Sequence, residues 1–254
     1  VDTSPAELLT IHTCRAMAGT TTVFAGVGIP LVAAIMAKAT HTPDLLIVVE
    51  GGSIDPQVRS GWLPISTNEM RLAFGAQMLV GITDIFLLAQ RGFLELGVIG
   101  GAQIDRFGNV NSTVVGPYAR PSVRLPGSGG ANDIASLCRR TMLVTVHERR
   151  RFVPAVDFVT TPGYLAGGDS RRAAGLVFGG PAQVVTNLGL FGFDPVTKAM
   201  RVEALHPGVR LDDVRANTGF ELDAPAAIPT TAPPTDDEIA LVRRIDPEGR
   251  YLKA

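Results

Sequence analysis

An excess of positive charge is missing from this sequence. Lys and Arg number 23 against 24 Asp and Glu, for a formal net charge of -1 at pH 7. Without a basic surplus there is no electrostatic term for gripping a phosphate backbone, so binding of nucleic acid by charge is excluded. Cysteine is nearly absent: Cys14 and Cys138 stand far apart without C-x-x-C spacing. A disulfide scaffold is excluded, and the expectation is free thiols of a reducing cytoplasm. No apolar run reaches the roughly 18 residues that a membrane span needs, and no basic stretch runs into a short apolar core as a secretory signal would. The four histidines, His12, His41, His147 and His206, share no metal-binding spacing, so no metal is expected.

What is present is apolar and rich in glycine. Of 254 residues, 46% are hydrophobic, only 19% are charged, and 28 are Gly. That mixture is too apolar for disorder and fits an α/β protein with many close backbone approaches. Ser4-Pro5 reads as the cap and first turn of a helix. Thr20 to Ala25 then reads as a strand, Gly26-Val27-Gly28 as a turn, and Leu31 to Ala37 as a helix. Leu45 to Val49 is apolar without alternation, which suits a strand buried on both faces of a parallel sheet. Ser66 to Glu69 has capping-box spacing. Further helices are expected over 84–90, 131–137, 211–217 and 236–245. Strands are expected at 98–99, 110–115, 142–146, 152–160, 184–190 and 200–204. With no repeat and no charge shift, a single domain over 1–254 is expected, with 229–234 as a Pro- and Thr-rich surface linker. The fold class is α/β: an open, mostly parallel sheet flanked by helices.

Glu50 follows a buried strand directly, at the carboxyl edge where open α/β sheets place their ligands. Gly51 and Gly52 after it carry no side chains, so a substrate could approach closely. Position alone leaves a second reading open, in which Glu50 caps a helix or pairs with an arginine. Gly127-Ser128-Gly129-Gly130 opens a helix and can turn backbone N–H groups toward an anion, though such a turn can equally be structural. It is neither a Walker A loop nor a G-x-S-x-G elbow around Ser128, and Gly26-Val27-Gly28 is not a dinucleotide fingerprint, because position 31 is Leu. His147-Glu148-Arg149-Arg150-Arg151 reads as a charged strand exit, a solvated edge or interface.

Several motifs together resemble the β subunit of family I CoA-transferases, on its glutaconate-like branch. They are Ile47-Val48-Val49-Glu50-Gly51-Gly52, Gly100-Gly101-Ala102-Gln103-Ile104-Asp105, Gly108-Asn109-Val110-Asn111-Ser112-Thr113 and Gly127-Ser128-Gly129-Gly130-Ala131-Asn132. The resemblance runs along nearly the whole chain. It implies a ping-pong transfer of CoA between an acyl-CoA and a carboxylic acid through a glutamyl-CoA thioester, with Glu50 as nucleophile. It implies that Gly129, Gly130 and Ala131 form an oxyanion or CoA-binding loop, and that Gly26, Gly28, Gly51, Gly52, Gln103 and Asn132 line the substrate crevice. Coenzyme A is then a substrate, with no permanently bound cofactor. The implied partner is a homologous α subunit in an α2β2 assembly, with a cytoplasmic location and no nucleic-acid or membrane partner. Glu50-Gly51-Gly52-Ser53 departs from the Ser-Glu-Asn-Gly of the succinyl and 3-oxoacid branch, which leans away from that activity. An acyl-CoA hydrolase or decarboxylase on the same two-subunit fold is the alternative, and a non-catalytic CoA-ester-sensing module is the alternative from another class.

Overall fold

The structure is a computed structural model and describes residues 3–252. In chain order the elements begin with α1 (Pro5–Arg15), β1 (Thr22–Ala25), α2 (Ile29–Ala39), β2 (Leu46–Val48), β3 (Ser53–Ile54) and β4 (Met78–Leu79). Then come α3 (Ile82–Gln90), β5 (Leu96–Ile99), β6 (Gln103–Ile104), β7 (Val110–Asn111), β8 (Val114–Val115) and β9 (Val123–Arg124). The chain continues through α4 (Ala131–Leu137), β10 (Arg140–Val144), α5 (Ser170–Ala173), β11 (Pro181–Val185), β12 (Gly189–Phe193) and β13 (Met200–Leu205). It closes with α6 (Leu211–Ala216) and α7 (Asp236–Ile245). The chain forms two compact units, one of Val1–Val98 with Pro234–Ala254 and the other of Ile99–Pro233.

In the first unit the strands lie in the order β5-β1-β2-β3-β4. β1 runs parallel to both β2 and β5, whereas β3 and β4 are antiparallel additions at the edge. Val23, Phe24, Ala25, Ile47 and Val48 are all buried, as strands covered on both faces must be. α2 is buried over Leu31–Ala34 and again at Met36 and Ala37, because it is apolar nearly all round. It packs on α1 and α7. α1 starts at a Ser4 cap, as the sequence implies; Glu7 returns the bond, and α7 starts at a matching Thr235–Glu238 box. Arg15 pairs with Glu238, and Arg243 with Glu7, each at 2.6 Å, so the last helix is tied to the first.

In the second unit the order is β13-β12-β11-β10, parallel between β10 and β11 and antiparallel beyond. Each unit therefore shows the expected sheet flanked by helices, with its parallel strands at one end and its antiparallel strands added at the other.

The structure corrects the expected elements in four places. The strand expected over 184–190 is two, because the Thr186 hydroxyl accepts from the N–H groups of Leu188 and Gly189 and turns the chain. The 110–115 strand splits into β7 and β8, since the Asn111 side chain accepts from the N–H groups of Thr113 and Val114. In the 152–160 segment only Phe152 bridges another strand, to Ile104, and Pro154 ends the pairing. Glu69 does not open an α-helix: its carboxylate accepts from Ile65 N–H, and a single 3-10 turn over Met70–Ala73 follows.

The expected solvated edge at His147 is also corrected. That imidazole is 3% exposed and stacks on Phe152 with ring centroids 3.8 Å apart. Its nitrogens face the hydroxyls of Thr218 and Thr186, and burial pulls its pKa down to about 3. The linker residues 229–231 lie along β13, where Leu205 bonds the Pro229 carbonyl and the Thr231 N–H.

Candidate active site on the Glu50 hairpin

β2 and β3 form a hairpin with Glu50 at its tip. Val49 N–H donates to the Ser53 carbonyl at 2.9 Å, and Gly52 N–H donates back to the Val49 carbonyl at 3.0 Å. Glu50, Gly51 and Gly52 make up this tight loop, and Gly52 takes its third position with φ +102°. That is the three-residue hairpin loop whose last position needs a glycine. Because β1 runs parallel to β2 with Phe24 opposite Val48, Gly26–Gly28 and Glu50–Gly52 leave the same carboxyl edge of the sheet.

The Glu50 side chain is half-buried and makes no hydrogen bond or ion pair among the described residues. The alternative in which it caps a helix or pairs with an arginine therefore finds no partner. A carboxylate held on a rigid turn with its lone pairs uncommitted can act as a nucleophile or a base.

The two glycines after Glu50 have a different reason from the one the sequence suggests. A Cβ on Gly51 would fall on the Thr67 carbonyl oxygen and close to Asn68, and one on Gly52 would fall on the Val80 carbonyl oxygen. At both positions the direction a side chain would take is filled by the chain itself, while Gly51 stays exposed and Gly52 is buried, and Val80 N–H donates to the Gly52 carbonyl at 3.0 Å. Gly26 is open, with nothing within 4 Å of an added Cβ. Gly28, at φ +93°, caps α2, and the Tyr251 ring lies 3.9 Å from where its Cβ would be.

The remaining expected residues lie in the second unit. Gln103 is buried; its amide donates to Asp157, and its carbonyl accepts from Asn111 and from Asp157 N–H. Asn132 donates to the Thr160 carbonyl at 2.9 Å. Both side chains brace the framework beside the glycine turn. Within that turn Gly127 and Gly129 have positive φ and open space where a side chain would stand. Ala131 N–H donates to the Ser128 carbonyl at 2.9 Å, which leaves Gly129 and Gly130 as the candidates for amide donors.

Among the described residues no group of three or more His, Cys, Asp or Glu could hold a metal ion, and no helix is long and apolar enough to cross a membrane. Lys38, Asp55 and Gln77, which no sequence motif marks, cluster at the base of the hairpin. Asp55 offers no motif; its one signature, a left-handed φ of +53° on a non-glycine residue, is visible only in the fold.

A family model described as coenzyme A transferase matches residues 18–217. The chain belongs to the coenzyme A transferase family. It is 38% identical to the B-type subunit of glutaconate CoA-transferase from Acidaminococcus fermentans, over 90% of this chain and 87% of that one. It is 35% identical to the B-type subunit of 3-oxoadipate CoA-transferase from Pseudomonas knackmussii, over 94% and 92% of the two chains. The crystal structure of the Acidaminococcus fermentans glutaconate coenzyme A-transferase superposes with a TM-score of 0.91 at 34% identity, covering 100% of this chain and 98% of that one. Family members of other activity share the fold. The decarboxylase AibA/AibB matches with a TM-score of 0.82 at 28% identity, over 98% of each chain. The cholesterol ring-cleaving hydrolase IpdB subunit of Rhodococcus jostii is 32% identical over 87% of this chain and 83% of its own.

Proposed function

We propose that this family member is the B-type subunit of a two-subunit CoA-transferase, with Glu50 as its nucleophile. A Glu50 carboxylate oxygen attacks the carbonyl carbon of an acyl-CoA, the C–S bond breaks, and CoA leaves as thiolate with an acyl-glutamyl anhydride in place. The thiolate then attacks the Glu50 carbonyl of that anhydride, which releases the first acid as carboxylate and leaves a glutamyl-CoA thioester. A second carboxylate attacks the thioester and repeats the steps in reverse. One thioester replaces another, so the exchange is close to neutral and needs no bound cofactor; CoA is a substrate.

The observation that carries this reading is the uncommitted Glu50 carboxyl on a tight, glycine-closed hairpin in a chain of this family. Such a loop supplies what covalent catalysis needs most, a reacting atom already in place. We assign Gly26 and Gly28 to the substrate side of the sheet edge that carries Glu50, and the open Gly129–Gly130 turn of the second unit to anion binding.

A partner completes the enzyme in this reading: a homologous α subunit in an α2β2 assembly. Glu50 is only half-buried, and Ile65, Met70, Met78 and Leu79 are exposed on the segment that closes over Gly51 and Gly52. Those apolar residues, with β4 as an edge strand, are the surface we assign to the α subunit. The buried thiols of Cys14 and Cys138, free in the structure, suit a reducing cytoplasm.

Kinship with hydrolase and decarboxylase family members gives the second reading, in which water or loss of carbon dioxide ends the reaction. The test is product analysis with both subunits assembled. Transfer requires CoA to appear on an added carboxylic acid, with that activity lost in Glu50→Gln. Free CoA or carbon dioxide without any new CoA ester selects the second reading.

A further inference from the structure

Lys38 grips both legs of the Glu50 hairpin at once. It lies on α2, and its ammonium stands 2.5 Å from each carboxylate oxygen of Asp55, the residue that leaves β3. Its remaining bond goes to the carbonyl of Leu45, the residue that enters β2, at 3.1 Å. An ammonium has three donors, and all three are used here. Gln77 adds a further bond to the same carboxylate at 2.6 Å, and Asp55 N–H donates to the Ile47 carbonyl at 2.6 Å. Asp55 is buried and holds φ at +53°, a left-handed conformation that Asp reaches more readily than most residues and that its bonds to Lys38, Gln77 and Ile47 hold here.

We propose that Lys38 and Asp55 are positioning residues, a charged clamp across the base of the hairpin that fixes where its tip presents Glu50. The proposal rests on Glu50 as the reacting carboxylate. The clamp touches neither Glu50 nor the sheet edge that we assign to substrate. Its effect passes through the short ladder of Asp55–Ile47, Val48–Ile54 and Val49–Ser53. Releasing it leaves the nucleophile chemically intact but lets the loop wander, and misplacement on the order of 1 Å can cost about 100-fold in rate. A loosened tip also admits water to the anhydride, so part of the transfer becomes hydrolysis.

The experiment measures kcat, KM and the ratio of transferred to freed CoA in the assembled two-subunit enzyme. Lys38→Met and Asp55→Asn are expected to lower kcat by about 10- to 100-fold, to keep KM for acyl-CoA within about 3-fold, and to raise the hydrolysed fraction. A merely structural bond would reduce the amount of active assembly without changing that ratio. Parent-like kcat per assembled enzyme and a parent-like ratio in either variant overturn the proposal, including where total activity falls only because less protein assembles. Should neither variant assemble, Gln77→Leu takes one bond from the same carboxylate. It is expected to lower kcat about 3-fold at unchanged KM, and parent-like kcat there overturns the clamp. Glu50→Gln in parallel separates the two claims. Activity surviving Glu50→Gln defeats the nucleophile assignment, whereas an inactive Glu50→Gln beside an unimpaired Lys38→Met defeats the clamp alone.

Discussion

Val49 donates its N–H to the Ser53 carbonyl across 2.9 Å, and this bond closes the loop from which Glu50 projects. Two residues facing each other in a ladder thus decide the direction of a third. The loop is short, its closing position demands glycine, and the backbones of Thr67 and Val80 press on it from outside. Such a loop has little conformational freedom, and that is the form of preorganisation that the proposed covalent catalysis rewards.

That packing makes the three nearby glycines unequal. Gly51→Ala and Gly52→Ala drive a methyl group into a carbonyl oxygen, and Gly52 also carries a positive φ, so each is expected to cost about 1–3 kcal/mol. Gly26→Ala meets open space and is expected to stay within about 0.5 kcal/mol of the parent. Urea unfolding checks the order, and equal stability of all three variants would contradict the packing.

The exposed apolar segment gives a second expectation. Met70 and Leu79 are 82% and 59% exposed, so a carboxylate at either place costs the isolated chain little. The pair Met70→Asp and Leu79→Asp is expected to abolish co-purification with the α subunit while the far-UV circular dichroism stays the same. A full assembly formed by the double variant would show that this face is not the interface.

His147 makes stability depend on pH with a definite sign. Burial holds its folded pKa near 3, below the value of about 6.5 in an unfolded chain, so the unfolded state takes up the proton first. The stabilisation is complete above about pH 6.5 and is lost as pH falls from there toward 3. The parent should lose unfolding free energy across that window more steeply than His147→Gln. Identical slopes would contradict a neutral buried imidazole.

Burial also sets the behaviour of the thiols. Cys14 and Cys138 are pushed up to about 12, so thiolate is scarce near neutrality. Neither is expected to react with an aromatic disulfide reagent in the native protein, and both should react in denaturant. Fast labelling of the folded chain would contradict the packing around α1 and α4.

Much of this was legible in the residues. The unbroken apolar run at Leu45–Val49 marked a doubly covered strand, and Ser4-Pro5 marked a helix start, because burial and capping are local in sequence. The place of Glu50 at the end of that strand was legible for the same reason. What was not legible depended on distant partners. The need for glycine at Gly51 and Gly52 comes from the Thr67 and Val80 carbonyls, which stand where a side chain would go. His147 read as solvated among its charged neighbours, although the ring turns inward onto Phe152. Lys38, Asp55 and Gln77 carry no pattern at all, since helix, hairpin and edge strand meet only after folding.

The central claim is that the Glu50 carboxyl becomes covalently joined to CoA during turnover. The most direct measurement incubates the assembled enzyme with acyl-CoA alone, without an acceptor acid, then digests it rapidly at acidic pH and weighs the peptide that spans 46–58. The account predicts a fraction of that peptide heavier by CoA less one water, with the added mass localised to Glu50 and removed when an acceptor carboxylate is supplied. An unmodified Glu50 peptide from an enzyme that is actively transferring CoA would contradict it.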